Sequence, residues 1–300
     1  MRGMTSLPYI GRFAPSPTGA LHAGSLLAAL GSCLQARSQQ GQWHLRIEDL
    51  DTPRCPPGTA DSILRDLERC GFEWDGEIVY QSRRLPAYQQ ALDQLQQAGI
   101  IYPCACSRRE IADSSISGID GPVYPGTCRN GLAPERTPRS LRIVTHSELL
   151  CFDDGIQGRI CQRLQSELGD FVLRRADGVF AYQLAVVVDD AELGITEIVR
   201  GADLLNSTPR QIHLQQLLGL PTPRYAHLPV LVNQQGQKLS KQTLAPPLSA
   251  VGPLAALRQA MHALGHPPPA EIDTLAAFWQ WAPTAWDMAK VPRRRTMTPV

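Results

Sequence analysis

The stretch Tyr9-Ile10-Gly11-Arg12-Phe13-Ala14-Pro15-Ser16-Pro17-Thr18-Gly19-Ala20-Leu21-His22-Ala23-Gly24-Ser25 decides how this chain is read. Tyr9 to Phe13 has the composition of a strand. Pro15, Pro17 and Gly19 stiffen the backbone and then release it. A helix opens at His22 and carries Leu26, Leu27, Leu30 and Leu34 at helical spacing, with Gly41 as its expected end cap. Free N–H groups at a helix start favour an anion. His22 can donate to a phosphate oxygen there, and Gly24 lets a nucleotide ring approach the backbone. Taken alone, His-x-Gly is short enough to occur in any β–α turn. Its weight rises beside Lys238-Leu239-Ser240-Lys241, which lies in a Gln/Gly-rich stretch between Gly236 and Pro246. That patch supplies positive charge. Lys241 is the candidate for stabilising charge on a transferring phosphate, a chemistry made mostly of positioning and electrostatics.

Working outward, Trp43 to Asp49 alternates as a half-buried strand does. Helices are expected from Thr59, as cap, to Gly71 and from Leu85 to Gly99. Strand, helix and strand in this order suggest a parallel α/β sheet. Leu141–Val144, Phe171–Arg174 and Tyr182–Asp189 read as further strands. Asn206-Ser207-Thr208-Pro209 starts a helix, with proline at its first position, that ends near Gly219. Amphipathic stretches follow at 254–264 and 272–281, and the tail with Arg293-Arg294-Arg295 is expected to be loose. The expected division is 1–99 and 141–245 as two halves of a nucleotide-binding unit, 100–140 as an inserted module, and 246–300 as a short helical C-terminal region.

The chain has 300 residues, 43% of them hydrophobic, with 29 Lys+Arg against 28 Asp+Glu. That balance argues against a non-specific nucleic-acid coat and leaves room for a local basic groove. No apolar run long enough to span a membrane occurs, and the first residues lack the apolar core of a signal peptide. Eight cysteines without a small-scaffold pattern suit a reduced, cytoplasmic protein. Cys33, Cys55, Cys70, Cys151 and Cys161 read as packing residues. Cys104-Ala105-Cys106 and Cys128 differ, because they cluster among Pro103, Gly121, Pro122, Pro125 and Gly126, which cannot build a core. A metal could staple that segment. Asp120, Glu110, Tyr124 and His146 each have the chemistry of a fourth ligand.

The two patches resemble the two signature motifs of class I aminoacyl-tRNA synthetases. The opening motif, Arg46-Ile47-Glu48-Asp49-Leu50-Asp51, and Val199-Arg200-Gly201-Ala202-Asp203-Leu204-Leu205 with Thr208-Pro209-Arg210-Gln211 resemble the glutamyl branch. Ser25 stands where the first signature has a second histidine, and Gln242 where the second has a serine. Both departures resemble the short paralogues of that branch. The resemblance implies a Rossmann-like parallel sheet with an inserted zinc-bearing module, ATP with Mg²⁺ as substrate, and one structural Zn²⁺ with Tyr124 as the unusual fourth ligand. It also implies that Arg12, Phe13, Ala14, Pro15, Ser16, Glu48, Tyr182 and Arg200 line a glutamate site, and that His22, Gly24, Ser25, Lys238, Ser240 and Lys241 handle ATP. A glutamate needs cations for its carboxylates and an acceptor for its ammonium. Arg12 and Arg200 can each hold a carboxylate bidentately, Glu48 can accept from the ammonium, and Tyr182 offers a directional hydroxyl.

The reaction the resemblance implies is adenylate formation, which needs no side-chain nucleophile, and no Ser–His–Asp constellation stands out. The stretch after Lys241 is too short for a large anticodon-reading domain. The resemblance implies another acceptor, queuosine at the wobble position of tRNA(Asp), offered on its anticodon stem-loop to a monomer. The rivals are a small glutamyl-tRNA synthetase that charges the tRNA terminus, a nucleotidyltransferase indifferent to glutamate, and a non-catalytic zinc-dependent RNA-binding module.

Overall fold

The computed structural model describes residues 8–237 and 251–298. Strand β1 (Ile10–Phe13) leads through the Pro/Gly loop into α1 (Ala23–Ser38), then β2 (Gln42–Ile47), α2 (Thr59–Arg69), β3 (Val79–Tyr80) and α3 (Leu85–Gln97). Next come β4 (Ile101–Cys104), α4 (Arg108–Ser114), the small hairpin of β5 (Ser117–Gly118) and β6 (Gly121–Pro122), and β7 (Ser140–Ile143). A longer hairpin of β8 (Leu149–Asp154) and β9 (Gly158–Arg163) follows, then α5 (Leu164–Glu167) and β10 (Val172–Arg174). Helix α6 (Tyr182–Glu192), β11 (Glu197–Gly201), α7 (Thr208–Leu218), β12 (Arg224–Leu228) and β13 (Val230–Leu231) complete the first described stretch. Helices α8 (Pro253–Ala263) and α9 (Leu275–Ala285) and strand β14 (Thr296–Met297) make up the second.

Strands β1, β2 and β3 pair in parallel, as do β11 and β12. The two groups meet where Thr196 N donates to Ile10 O at 2.9 Å. β12 also pairs in parallel with the end of β8 at Tyr225 and Asp154. Helix α1 covers this sheet. Its Leu26, Leu27, Leu30 and Leu34 are buried with Trp43, Leu45 and Leu228. A Cβ on Gly31 would lie 2.6 Å from Leu228 Cδ1, so glycine there lets α1 approach β12 closely. Helices α8 and α9 join the same core through Leu257, Met261 and Phe278. A second core, with Tyr88, Leu92, Phe180, Leu184 and Val187, binds α3 to α6.

Several expectations from the sequence need correction. Tyr182–Asp189 is not a strand but the body of α6. Its apolar run is buried nearly all round, so neither period shows, and a short run of that kind reads equally well as a buried strand. Gly41 does not cap α1. The chain turns at Gln40, with φ 53°, and a Cβ on Gly41 would clash with Tyr9. Gly58, with φ 76°, precedes α2 where Thr59 was expected to cap it. Pro209 is the second residue of α7, and Gly219 ends that helix at φ 65°. The arginine tail is not loose. Val230 N donates to Arg295 O at 2.9 Å, and β13 pairs with β14. Cys151 and Cys161 are joined by a disulfide, because the β8–β9 register sets them directly opposite each other. Cys33 and Cys70 are buried, as packing residues are.

Candidate active site and metal centre

A cavity of about 680 Å³ opens at the ends of β1, β2 and β11. Ligands of open α/β sheets bind in such a crevice. The segment Arg12–Ser16, together with Glu48, Tyr182 and Arg200, lines it, and so do His22, Gly24 and Ser25. The cavity thus unites the described residues of both groups read from the sequence. Lys238, Ser240 and Lys241 lie outside the described residues. Pro229 and Val230, shortly before that segment, line the same cavity.

The arginines are held from behind. Asp190, on the last turn of α6, accepts from Arg12 Nε at 3.1 Å, from Arg12 Nη2 at 3.2 Å and from Arg46 Nη1 at 2.6 Å. Burial alone would raise the Asp190 carboxyl, but the two guanidiniums outweigh it and hold the group below its usual range. The bidentate fork of Arg12 is therefore taken up inside the protein, and its Nη1 has no hydrogen-bond partner among the described residues. Arg200 is similar. Nε donates to His227 Nε2 at 3.0 Å and Nη2 to Thr208 Oγ1 at 2.8 Å, while Nη1 is buried without a partner. Glu48 Oε1 accepts from Arg46 at 3.2 Å, and its other oxygen has no partner among the described residues. Burial raises the Glu48 carboxyl despite Arg46 and Arg12. It raises the Tyr182 phenol as well, with Glu48 adding to the effect.

His22 is the N-cap of α1. Its Nδ1 accepts from Ser25 N at 3.3 Å, and Nε2 lies 3.0 Å from Ser25 Oγ. The serine that departs from the family signature thus closes onto the first histidine. The first turn of α1 contains no acidic side chain, which leaves that helix end suited to a phosphate.

The three cysteines also come together. The sulfurs of Cys104, Cys106 and Cys128 lie within 4.8 Å of one another. Tyr124 Oη is 3.3 Å from Cys104 Sγ and 3.8 Å from Cys106 Sγ, and it accepts from Cys128 N at 2.9 Å. The other candidate ligands are engaged elsewhere. Asp120 binds Arg210 and Asn206, Glu110 closes a capping box with Ser107, and His146 packs its ring against His213. Arg142 lies 3.9 Å from the centre of the Tyr124 ring and donates to Cys104 Sγ at 3.3 Å. Burial raises the Cys104 thiol, but bonds from Tyr124, the Cys106 backbone and Arg142 win and lower it to about 7. Three sulfurs and a phenol suit a thiophilic divalent metal, and Arg142 favours the thiolate form of Cys104 that such a ligand requires.

Residues 10–263 match the family described as tRNA synthetases class I (E and Q), catalytic domain. The chain is 58% identical over 289 residues to the glutamyl-Q tRNA(Asp) synthetase of Aromatoleum aromaticum, covering 96% of this chain and 91% of that one. It is 56% identical to the protein of that name from Chromobacterium violaceum, covering 96% and 97%. The chain belongs to the glutamyl-Q tRNA(Asp) synthetase family. The fold agrees. The glutamate-tRNA synthetase of Elizabethkingia anophelis superposes with a TM-score of 0.80 at 24% identity, over 96% of this chain and 67% of that one. A glutamate tRNA ligase from Elizabethkingia meningosepticum, solved with its amino acid, gives 0.79 at 26%, over 96% and 66%. This chain therefore spans about two thirds of those longer synthetases.

For a member of the glutamyl-Q tRNA(Asp) synthetase family, the residues that sequence reading passed over are those behind the cavity wall. Asp189 ends the strand expected from the sequence and Asp190 lies just past it, yet Asp189 accepts from Gln81, Arg84 and Tyr88. His227 and Asp154 drew no attention. A local signal did exist for the first pair, since two acids ending an apolar run need cationic partners once that run is buried.

Proposed function

We propose that this chain activates glutamate with ATP and passes the glutamyl group to queuosine at the wobble position of tRNA(Asp), in the cytoplasm and as a monomer. An oxygen of the glutamate α-carboxylate attacks the α-phosphorus of ATP. The bond to the bridging oxygen breaks, and pyrophosphate leaves with its electron pair. Mg²⁺ on the triphosphate offsets its charge. A hydroxyl of the queuosine cyclopentenediol then attacks the carbonyl carbon of glutamyl-adenylate, and AMP leaves. On this reading the tRNA enters only for the second step, as acceptor, so activation does not need it.

The observation that carries this reading is the set of open groups in the cavity. Arg12 bonds through Nε and Nη2 and leaves Nη1 without a partner among the described residues, and Arg200 Nη1 is buried in the cavity wall, also unpaired. They share the cavity with the open oxygen of Glu48, the Tyr182 hydroxyl and the N-terminus of α1. That is the complement of an amino acid with an additional carboxylate beside a nucleotide. Arg12 and Arg200 bind glutamate carboxylates there, Glu48 and Tyr182 take its ammonium, and the Phe13–Ser16 backbone shapes the wall. His22, Gly24 and Ser25 hold ATP, and Lys238, Ser240 and Lys241 complete its phosphate site, with His22 and Lys241 acting on the transferring phosphate. Cys104, Cys106, Tyr124 and Cys128 hold a structural Zn²⁺. With four ligands that metal has no open position and keeps apart from the chemistry. The catalytic unit comprises 1–99 and 141–245 around the module at 100–140, with 246–300 as the C-terminal region.

Relatives named for the tRNA(Asp) reaction favour queuosine over the tRNA terminus as acceptor. Labelled glutamate, ATP and tRNA(Asp) with and without queuosine separate the two. Label should appear only on modified tRNA and map to the wobble nucleotide. Equal labelling of unmodified tRNA would move the acceptor to the terminus. Lys241→Ala should cut glutamate-dependent ATP–pyrophosphate exchange about a hundredfold to a thousandfold in a protein that still folds. Near-normal exchange would remove Lys241 from its role.

A further inference from the structure

We infer that His227, backed by Asp154, is a positioning residue that holds Arg200 in the cavity wall with one donor left unpaired and so sets the preference for a dicarboxylic amino acid over its amide. This rests on the glutamate reading above and adds a layer to it.

Arg200 on β11 and His227 on β12 are direct partners across the parallel pair. Two of the three guanidinium nitrogens are fixed, Nε on His227 Nε2 and Nη2 on Thr208 Oγ1. The third, Nη1, is buried without a partner. A buried donor left unpaired is costly, and here a ligand carboxylate completes it.

The imidazole is set in turn by Asp154. Oδ1 of Asp154 accepts from the backbone N–H groups of Ile156, Gln157 and His227, at 3.0, 2.8 and 3.1 Å. Oδ2 lies 2.5 Å from His227 Nδ1. An ionised carboxylate only accepts, so Nδ1 carries the proton. Nε2 then presents a lone pair, as the permanently protonated Arg200 requires. An imidazolium would set one N–H against another. Carboxylate, neutral imidazole and guanidinium thus form a chain that fixes Arg200 from behind. His227 is fully buried and has no exposed face to the cavity. It acts only through Arg200.

The charge-assisted bond from Arg200 Nη1 favours a carboxylate over a neutral amide. Releasing Arg200 should weaken that discrimination and leave the ATP residues of α1 untouched. The test is ATP–pyrophosphate exchange by the wild type, H227N and H227Q. Asparagine keeps a donor for Asp154 but falls short of Arg200, whereas glutamine extends an acceptor to it. H227N should raise the glutamate KM about tenfold to a hundredfold, leave the ATP KM unchanged and let glutamine gain on glutamate. H227Q should recover part of the loss. A glutamate KM within about twofold of wild type in folded H227N, or an equal rise in both KM values, overturns the inference. If H227N fails to fold, D154N carries the same comparison, because it frees the tautomer while keeping the imidazole. Absence of glutamate-dependent exchange in the wild type would sink the glutamate reading and this inference together. Normal wild-type exchange beside an unmoved variant sinks this one alone.

Discussion

Asp190, on the last turn of α6, sits between Arg12 of β1 and Arg46 of β2, where two large apolar clusters pack the sheet and the helix. Cys104, Cys106 and Cys128 sit around Tyr124 in a segment whose buried cluster is only Tyr102, Cys104, Tyr124 and Cys128. Both regions hold polar groups in a fixed geometry. The first does so with its own countercharges, set on elements that fold for other reasons. The second has little apolar surface of its own, so its order must come from elsewhere. The arginine-lined cavity is preorganised by the fold. The cysteine module has little core of its own, and on the proposed reading a bound Zn²⁺ supplies what that core lacks.

Metal removal is the sharpest way to break that contrast. If Zn²⁺ staples the module, stripping it forfeits an energy on the scale of structural zinc sites, about 10 kcal/mol. Limited proteolysis should then cut between Ser107 and Arg139, while glutamate binding measured by calorimetry stays within about fivefold of its starting value. An unchanged cleavage pattern would mean that the module holds its own shape.

The opposite experiment is Asp190→Ala. It leaves two buried guanidiniums without their shared carboxylate, which costs about 3–5 kcal/mol. Denaturant unfolding should register that loss, and glutamate-dependent exchange should fall with it. A small change would place the preorganisation in the sheet alone.

Much of the cavity is legible in the sequence, because its parts are local. Pro15, Pro17 and Gly19 before His22 announce a strand, a turn and a helix start, and the cysteines announce themselves by clustering. The supports are not local. Asp190 meets Arg12 across 178 positions, and Asp154 meets His227 across 73, which no periodicity reveals. Tyr182–Asp189 misleads for a related reason. A helix buried on most sides loses the polar face that would identify it. Tyr124 is legible only through resemblance, since nothing about a lone tyrosine marks it as a metal donor. Arg295 and Met297 look like a charged tail until β13 offers them an edge.

The pH response separates the supports within the cavity wall. Burial lowers His227 from its model-compound value of 6.5 to about 4, with Arg200 adding to the effect and the Asp154 bond opposing it. The unfolded chain therefore takes up a proton that the native chain refuses. Stability is complete above pH 6.5 and declines as pH falls toward 4, by up to about 3 kcal/mol. Asp154 and Asp190 are held below their usual values, so their contribution is lost only below pH 3.8. His213 and His266 shift in the same direction as His227, so the difference between the wild type and H227N is the quantity to measure. A variant that loses as much stability as the wild type between pH 7 and pH 4.5 would assign the decline to the other histidines.

The smallest effect concerns an ion pair that joins the module to the start of α7. Asp120, beside the β5–β6 hairpin, accepts from Arg210 Nη2 at 2.5 Å and from Asn206 Nδ2 at 3.1 Å, at the start of α7. Arg210 lies within electrostatic reach of Tyr182, which lines the cavity, so this pair links the module to the cavity electrostatically. The pair is partly exposed, with side-chain exposures of 33% and 17%, which limits Asp120→Ala to about 1 kcal/mol of stability. Its value lies in coupling. Any rise in glutamate KM on metal removal should pass through Asp120, because the module's other ties among the described residues, including the β4–β7 pairing and the bonds of Tyr102 and Arg129 to Asp170, lead to residues that do not line the cavity. In Asp120→Ala the same metal removal should leave the glutamate KM unmoved, so that the two perturbations fail to add. Full additivity would show that the module and the cavity communicate by another route, through β4 and β7, and that the contrast between them is less sharp than their packing indicates.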